Sequence, residues 1–267
     1  MDFTYGQAVL IGFIQGITEL FPISSLGHAI LIPAWIGGSF GEFISEENEA
    51  YLLITIAMHL ASSVALFLVF RKRWIRLISG TVQAVVSKNF QSTSFRVLSY
   101  IVIATIPVGI LGLAFGDYFQ SIFGKPQYSA LFLTLNGLLL ITAERLSRRD
   151  ITAELQDSDA EIDRRVSAKT AVAIGFGQSL ALFAGISRFG VTMSAGLLRK
   201  LNHSVASDFA FLLSLPVIVG ASIIKLPELF TTSANELLGQ ILLGSVISFI
   251  ATYISVTVLV RWFKTKT

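Results

Sequence analysis

Nine polar side chains stand inside two otherwise apolar stretches of this chain, where a polar group is costly. The first stretch holds Gln15, Glu19, Ser24, Ser25 and His28; the second holds Gln178, Ser187, Arg188 and Thr192. Glu19 is the single acid of the first stretch. At membrane depth an ionisable group marks function by default, here metal binding, orientation of His28 or proton relay. Ser25 and His28 are three residues apart and share one side of a helix, the spacing of a nucleophile and its base. The alternative is that Ser24, Ser25 and His28 only cap a helix. Arg188 offers a planar, permanently charged fork suited to phosphate oxygens. A structural ion pair with Glu19 is the alternative, and the two roles are compatible.

Other polar residues read as structural. His59, beside Ser62 and Ser63, reads as a packing or hydrogen-bonding histidine. Asp208 suits the start of a helix. His203, close to Arg199 and Lys200, reads as interfacial. The run Asp157-Ser158-Asp159-Ala160-Glu161 reads as a solvated loop that lacks the glycine and final glutamate of a calcium loop. There is no Walker A motif, dinucleotide fingerprint or zinc spacing.

The two stretches are copies of each other. Residues 8–28 and 171–191, at an offset of 163, are identical at 9 of 21 positions, against about two by chance in apolar sequence, which marks a duplicated unit. Composition supplies the setting. Hydrophobic residues make up 53% of the 267, charged residues 14%, and mean hydropathy is +0.72. A soluble domain carries about 25% charge. Apolar runs at 51–70, 97–116, 128–143, 205–224 and 237–260 predict five membrane spans. The chain has no cysteine, which removes disulfide and thiolate chemistry. Asp2 and the lack of a basic n-region argue against a cleaved signal peptide. The net charge of +3 is no nucleic-acid signature, because the basic residues read as sitting in loops, 17 of the 20 Lys and Arg between or after spans on one side. These include Arg71, Lys72, Arg73, Arg76, Arg148, Arg149 and Lys266. The positive-inside rule makes that side cytoplasmic and turns the N-terminus and the acidic stretch Glu42, Glu46, Glu47 and Glu49 outward.

Residues 5–37 and 170–200 are each broken mid-way, at Phe21-Pro22-Ile23-Ser24-Ser25 and at Ala184-Gly185-Ile186-Ser187. Each arm is about 15 residues, roughly 22 Å of helix, too short for a ~30 Å core. They predict re-entrant hairpins, the first entering from outside and the second from the cytoplasm. Three spans lie between them, so the copies are inverted. The predicted fold is an all-α, polytopic membrane protein, an inverted-topology repeat in one membrane domain. Repeat one spans 1–146, a cytoplasmic loop 147–168 and repeat two 169–267. Inverted repeats with broken helices build a shared polar site near the midplane. Two helix N-termini meeting there form a phosphate or pyrophosphate cradle. The second copy has two spans where the first has three, which implies a lost last span or a shortened chain.

Gln15-x-x-x-Glu19 followed by Phe21-Pro22-Ile23-Ser24-Ser25-Leu26-Gly27-His28 resembles the first signature of the undecaprenyl-pyrophosphate phosphatase family, bacitracin-resistance type. Gly185-Ile186-Ser187-Arg188-x-Gly190-x-Thr192 resembles its second. The likeness extends through Asp208-Phe209-Ala210-Phe211-Leu212-Leu213 and Pro216. It implies two re-entrant hairpins with six transmembrane helices. It also implies hydrolysis of the C55 lipid pyrophosphate to the monophosphate at the outer face of the plasma membrane, recycling the carrier for peptidoglycan synthesis. By position, Glu19, Ser25, His28 and Arg188 match the essential residues. Gln15, Ser24, Ser187 and Thr192 match supporting ones, and with Gly27, Gln178, Gly185 and Gly190 complete the expected substrate-binding set. The resemblance further implies a divalent cation, Mg or Ca, with Glu19 as its ligand. Beyond the lipid substrate and the bilayer, a second copy of the chain is a candidate partner. Ala184 and Phe189 stand where the family usually has Pro and Ser. Two other functions fit an inverted repeat with this cluster: a polyprenyl-phosphate flippase, and an inactive relative. The acid–base and nucleophilic groups favour the hydrolase over a pure binding site.

Overall fold

In the computed structural model, residues 3–44, 49–147, 158–225, 227 and 236–265 are described. Glu46, Glu47, Arg148, Arg149, Asp157 and Lys266, used above to reason about charge, lie outside them. No strand occurs among the described residues. The first hairpin is α1 (Tyr5–Thr18) and α2 (Ser25–Ile36). Helix α1 opens with a capping box in which Thr4 and Gln7 exchange hydrogen bonds. It ends before Pro22, which has no N–H and forces Phe21 out of the helical region. Beyond α2 come the short α3 (Gly38–Phe43), α4 (Glu49–Val86), α5 (Thr93–Ala114), α6 (Gly116–Ile122), α7 (Pro126–Ser147) and α8 (Ser158–Arg165). The second hairpin is α9 (Ala168–Ser179), one 3-10 turn at Leu180–Leu182 and α10 (Arg188–Leu198). Helices α11 (His203–Lys225) and α12 (Leu238–Thr265) complete the chain.

Four described helices are long and apolar enough to cross a membrane: α4, α5, α11 and α12. Their exposed side chains form apolar stripes, such as Val102, Ile106, Ile110 and Leu113 on α5. The chain is a multi-pass membrane protein. The span expected at 128–143 lies in α7, which has the length, but Gln127, Ser129 and Asn136 lower its apolarity.

Two expectations fail for a shared reason. The basic segment from Arg71 to Arg76 is not a loop: α4 runs on for 38 residues, about 57 Å. The segment Ser158–Glu161 is not a solvated loop but the start of α8. Asp159 is 5% exposed, with its carboxylate between Arg73 (2.6 Å) and Arg76 (2.9 Å). Arg73 also reaches Asp208 at 3.5 Å, and Ser158 bonds Asp208. Arg96 pairs with Asp163 at 2.8 Å. Charges that read as solvated in isolation thus join α4, α5, α8 and α11 at one end of the molecule. His203 pairs with Glu144 at 2.9 Å.

The duplication organises the packing. The first arm of each hairpin lies against the second span of the other half, α1 on α12 and α9 on α5. The equivalent glycines Gly12 and Gly175 permit both approaches. A Cβ on Gly12 would sit 2.3 Å from the Gly244 carbonyl oxygen, and one on Gly175 2.5 Å from that of Ala104. Two apolar cores result, one around α5, α9, α10 and α11, the other around α1, α2, α3 and the start of α4. The hairpin tips are interlocked across them. Leu20 of the first break belongs to the core of the second half, and Ala184 of the second break to the core of the first.

Candidate active site

The breaks meet where the two cores adjoin. Gly27, in the first turn of α2, lies against Gly185; a Cβ on Gly27 would come 2.9 Å from the Gly185 Cα. Gly185 has φ +117, a left-handed conformation that favours glycine. Around this contact lies a small cleft, lined by Glu19, Ser24, Ser25, Leu26, His59, Ala181, Ile186, Ser187 and Arg188. Six of these lie in or beside the two breaks, as the duplication requires.

Both second arms start in the same way. The Ser24 hydroxyl accepts from the Gly27 N–H at 3.3 Å, and the equivalent Ser187 hydroxyl accepts from the Gly190 N–H at 3.1 Å. Each cap satisfies one N–H. The earlier N–H groups, of Ser25 and Leu26 and of Arg188 and Phe189, have no partner within their helix and carry the positive dipole end. Ser24 is held at φ 62, a conformation unusual for serine. Its carbonyl accepts from the His28 N–H at 3.3 Å and from His28 Nδ1 at 2.8 Å.

Glu19 is the hub. Its Oε2 accepts from the Ser25 hydroxyl at 2.7 Å and from Gln15 Nε2 at 2.6 Å. His59 Nε2 stands 3.3 Å from the same oxygen, and Arg188 Nη1 is 3.7 Å from Oε1. The other ring nitrogen of His59, Nδ1, is 2.7 Å from the Thr55 carbonyl. A carbonyl only accepts, so Nδ1 carries hydrogen, and this bond turns Nε2 toward Glu19.

Of the predicted residues, the structure brings together Gln15, Glu19, Ser24, Ser25, Gly27, Gly185, Ser187 and Arg188. It does not join Ser25 to His28: the serine turns to Glu19, and His28 turns back on the Ser24 carbonyl. It does bring Glu19 and Arg188 together. Gln178 and Thr192 are buried with their side-chain polar atoms unpaired among the described residues, and they do not line the cleft. Arg188 Nη1 also makes no hydrogen bond. His59 is the residue whose place sequence reasoning missed. It sits 40 positions from Glu19, and its one signal was a titratable ring inside an apolar span. Asn136 was missed as well. Its Nδ2 donates to the Pro22 carbonyl at 2.9 Å, and its Oδ1 accepts from the Ser187 N–H at 3.0 Å. Phe189 points away from the cleft: it is fully buried and stacked on Phe211 with ring centroids 4.6 Å apart.

This constellation depends on residues near both breaks, so a related protein must match across both. The family model described as bacitracin resistance protein BacA matches residues 8–267. Undecaprenyl-diphosphatase 2 of Frankia alni is 39% identical, with all of this chain and 93% of the relative covered. Undecaprenyl-diphosphatase of Mycolicibacterium paratuberculosis is 40% identical over 99% of this chain and 91% of the relative. Undecaprenyl-diphosphatase 2 of Chromobacterium violaceum is 34% identical over 97% and 89%. The family match runs through both breaks and every residue that lines the cleft, and the chain belongs to the bacitracin resistance protein BacA family.

Proposed function

We propose that this protein hydrolyses undecaprenyl pyrophosphate to undecaprenyl phosphate and inorganic phosphate, returning the lipid carrier to peptidoglycan synthesis. The observation that carries the reading is the Ser25–Glu19 hydrogen bond of 2.7 Å beside the partly buried Arg188. A headgroup-binding site needs no carboxylate poised on a hydroxyl. The names and the extent of the matched relatives support the same substrate.

The roles follow from the contacts. The N-termini of α2 and α10 and the guanidinium of Arg188 receive phosphate oxygens and stabilise charge developing on them. The Ser25 oxygen attacks the terminal phosphorus, or positions the water that does. Glu19, already bonded to that hydroxyl, takes the proton. In the covalent course the new bond is Ser25 Oγ–P, the bond to the bridging oxygen breaks and the lipid monophosphate leaves. Water then releases inorganic phosphate from Ser25. Gln15 and His59 hold the Glu19 oxygen that faces Ser25. His28, with Nδ1 engaged, steadies the strained Ser24 turn and has Nε2 left for proton transfer.

Among the described residues no three His, Asp or Glu side chains cluster as a metal cage. Three neighbours crowd Oε2 of Glu19, while Oε1 faces Arg188 and the cleft. Glu19 is the one carboxylate among the residues that line the cleft, and it would be the protein ligand of a divalent ion there. When bound, such an ion neutralises charge on the phosphate oxygens. The basic end of the molecule, at α4, α8 and the start of α5, faces the cytoplasm by the positive-inside rule. The headgroup then enters from outside, with the prenyl chain along the apolar stripes.

The test is phosphate release from farnesyl or undecaprenyl pyrophosphate by protein purified in detergent, with and without chelator. Wild type turns over, and Arg188→Ala and Glu19→Gln each lower turnover about a hundredfold or more. Binding of lipid pyrophosphate without phosphate release identifies a carrier protein and removes the hydrolase reading.

A further inference from the structure

Helix α7 carries one buried side-chain amide in an otherwise apolar stretch, Leu133-Thr134-Leu135-Asn136-Gly137-Leu138. Asn136 is 3% exposed. An amide at that depth is costly unless both ends are satisfied. Both are, by different hairpins. Nδ2 donates to the Pro22 carbonyl of the first break, and Oδ1 accepts from the Ser187 N–H of the second. The orientation follows from the chemistry, since a carbonyl only accepts and an N–H only donates. Both partners are non-helical backbone in the membrane interior, which must find bonds within the protein. Pro22 lies between Glu19 and Ser25 in sequence, and Ser187 immediately precedes Arg188. One amide therefore fixes the half that holds the nucleophile and its base against the half that holds the guanidinium. The direct hydrogen bond between the breaks is longer, Ser187 Oγ to the Phe21 carbonyl at 3.3 Å.

We propose that Asn136 is a positioning residue that sets the spacing of the two hairpin tips, and through it the distance from Ser25 and Glu19 to Arg188. This rests on the hydrolase reading above. Asn136 does not line the cleft. Its removal lets the tips part, and a misplacement on the order of 1 Å costs about a hundredfold in rate. The prenyl chain is bound elsewhere, so the loss falls on kcat.

The experiment compares the full chain with Asn136→Leu, which keeps the volume and removes both bonds, and Asn136→Asp, which keeps the acceptor for Ser187 and loses the donor to Pro22. We expect kcat for farnesyl pyrophosphate to fall about 10- to 100-fold in Asn136→Leu and less in Asn136→Asp, with KM changed under about threefold. Because the chain has no cysteine, spin labels at Trp35→Cys and Leu198→Cys, both exposed at the far ends of α2 and α10, report the tip-to-tip geometry. The distance distribution should broaden in Asn136→Leu while the thermal transition in detergent stays within a few degrees. If Asn136→Leu does not fold, Asn136→Asp is read by the same measures. A kcat within about threefold of wild type, an unchanged distance distribution, or a rate loss that tracks unfolding overturns the proposal. Wild type that releases no phosphate removes the hydrolase reading instead, and the distance measurement then decides on the clamp by itself.

Discussion

Replacing Gly27 by alanine adds a single methyl group at the point where the hairpins touch. That carbon would lie 2.9 Å from the Gly185 Cα and 3.4 Å from the Gly185 nitrogen. Both are backbone atoms and cannot rotate away. Gly185 has no room to retreat either, since the direction of its own Cβ is closed by the Ser129 carbonyl oxygen at 2.5 Å and the Leu133 nitrogen at 2.9 Å. Restoring an ordinary contact therefore parts the tips by roughly 0.5–1 Å, at a cost of about 1–3 kcal/mol in overpacking. The Arg188–Glu19 separation, already 3.7 Å, widens with it. Misplacement of that size predicts a fall of about a hundredfold in kcat. Phosphate release from farnesyl pyrophosphate in detergent measures it, alongside the thermal transition. Gly137→Ala is the control, because nothing lies within 4 Å of its Cβ; there alanine leaves activity unchanged and favours the helix by about 0.5–1 kcal/mol. Gly27→Ala retaining activity within about threefold of wild type refutes the claim that the tips meet at this glycine to form the site.

Other expectations follow from single contacts. His59→Leu removes a partner of the Glu19 carboxylate, a contact of a kind worth about 1.5–3 kcal/mol, and should lower kcat by about 10- to 100-fold. His59→Gln, which can still donate to Glu19, should recover most of it in the same assay. Gly12→Ala and Gly175→Ala place a methyl group 2.3 Å and 2.5 Å from carbonyl oxygens of the opposite half. Each should lower the thermal transition in detergent by a similar amount. Asp159→Ala removes the shorter of the two ion pairs of Arg73, whose side chain is 12% exposed, leaves it Asp208 at 3.5 Å, and should cost about 1–3 kcal/mol. Arg76→Ala, at a side chain 63% exposed, should cost under about 1 kcal/mol, both by denaturation in mixed micelles.

The parts legible in the sequence were those carried by local pattern or by the repeat. Pro22 and Gly185 announce the breaks, Ser24 and Ser187 the caps, and the offset of 163 the partnership of the hairpins. Contacts between distant positions left no local trace. Nothing near His59 in sequence points to Glu19, and nothing around Asn136 points to two breaks at once. Ser25 and His28 do share one side of a helix, but spacing does not say which acceptor wins. The Ser24 carbonyl and the Glu19 carboxylate lie within reach and take the hydrogens first. Asp159 misled because a run of acids looks solvated until Arg73 and Arg76 arrive from a helix that does not end where its charges begin.

The equivalence of the hairpins reaches one step further. At the offset of 163, Ser25 and Arg188 occupy the same position, the opening residue of α2 and of α10. Two unlinked copies of either half would offer two serines or two arginines at these positions. Fusion into one chain lets the two equivalent positions differ, a hydroxyl on one side and a cation on the other. The repeat symmetry of the fold therefore stops at its site: one helix start presents a hydroxyl and the other a guanidinium to the same cleft.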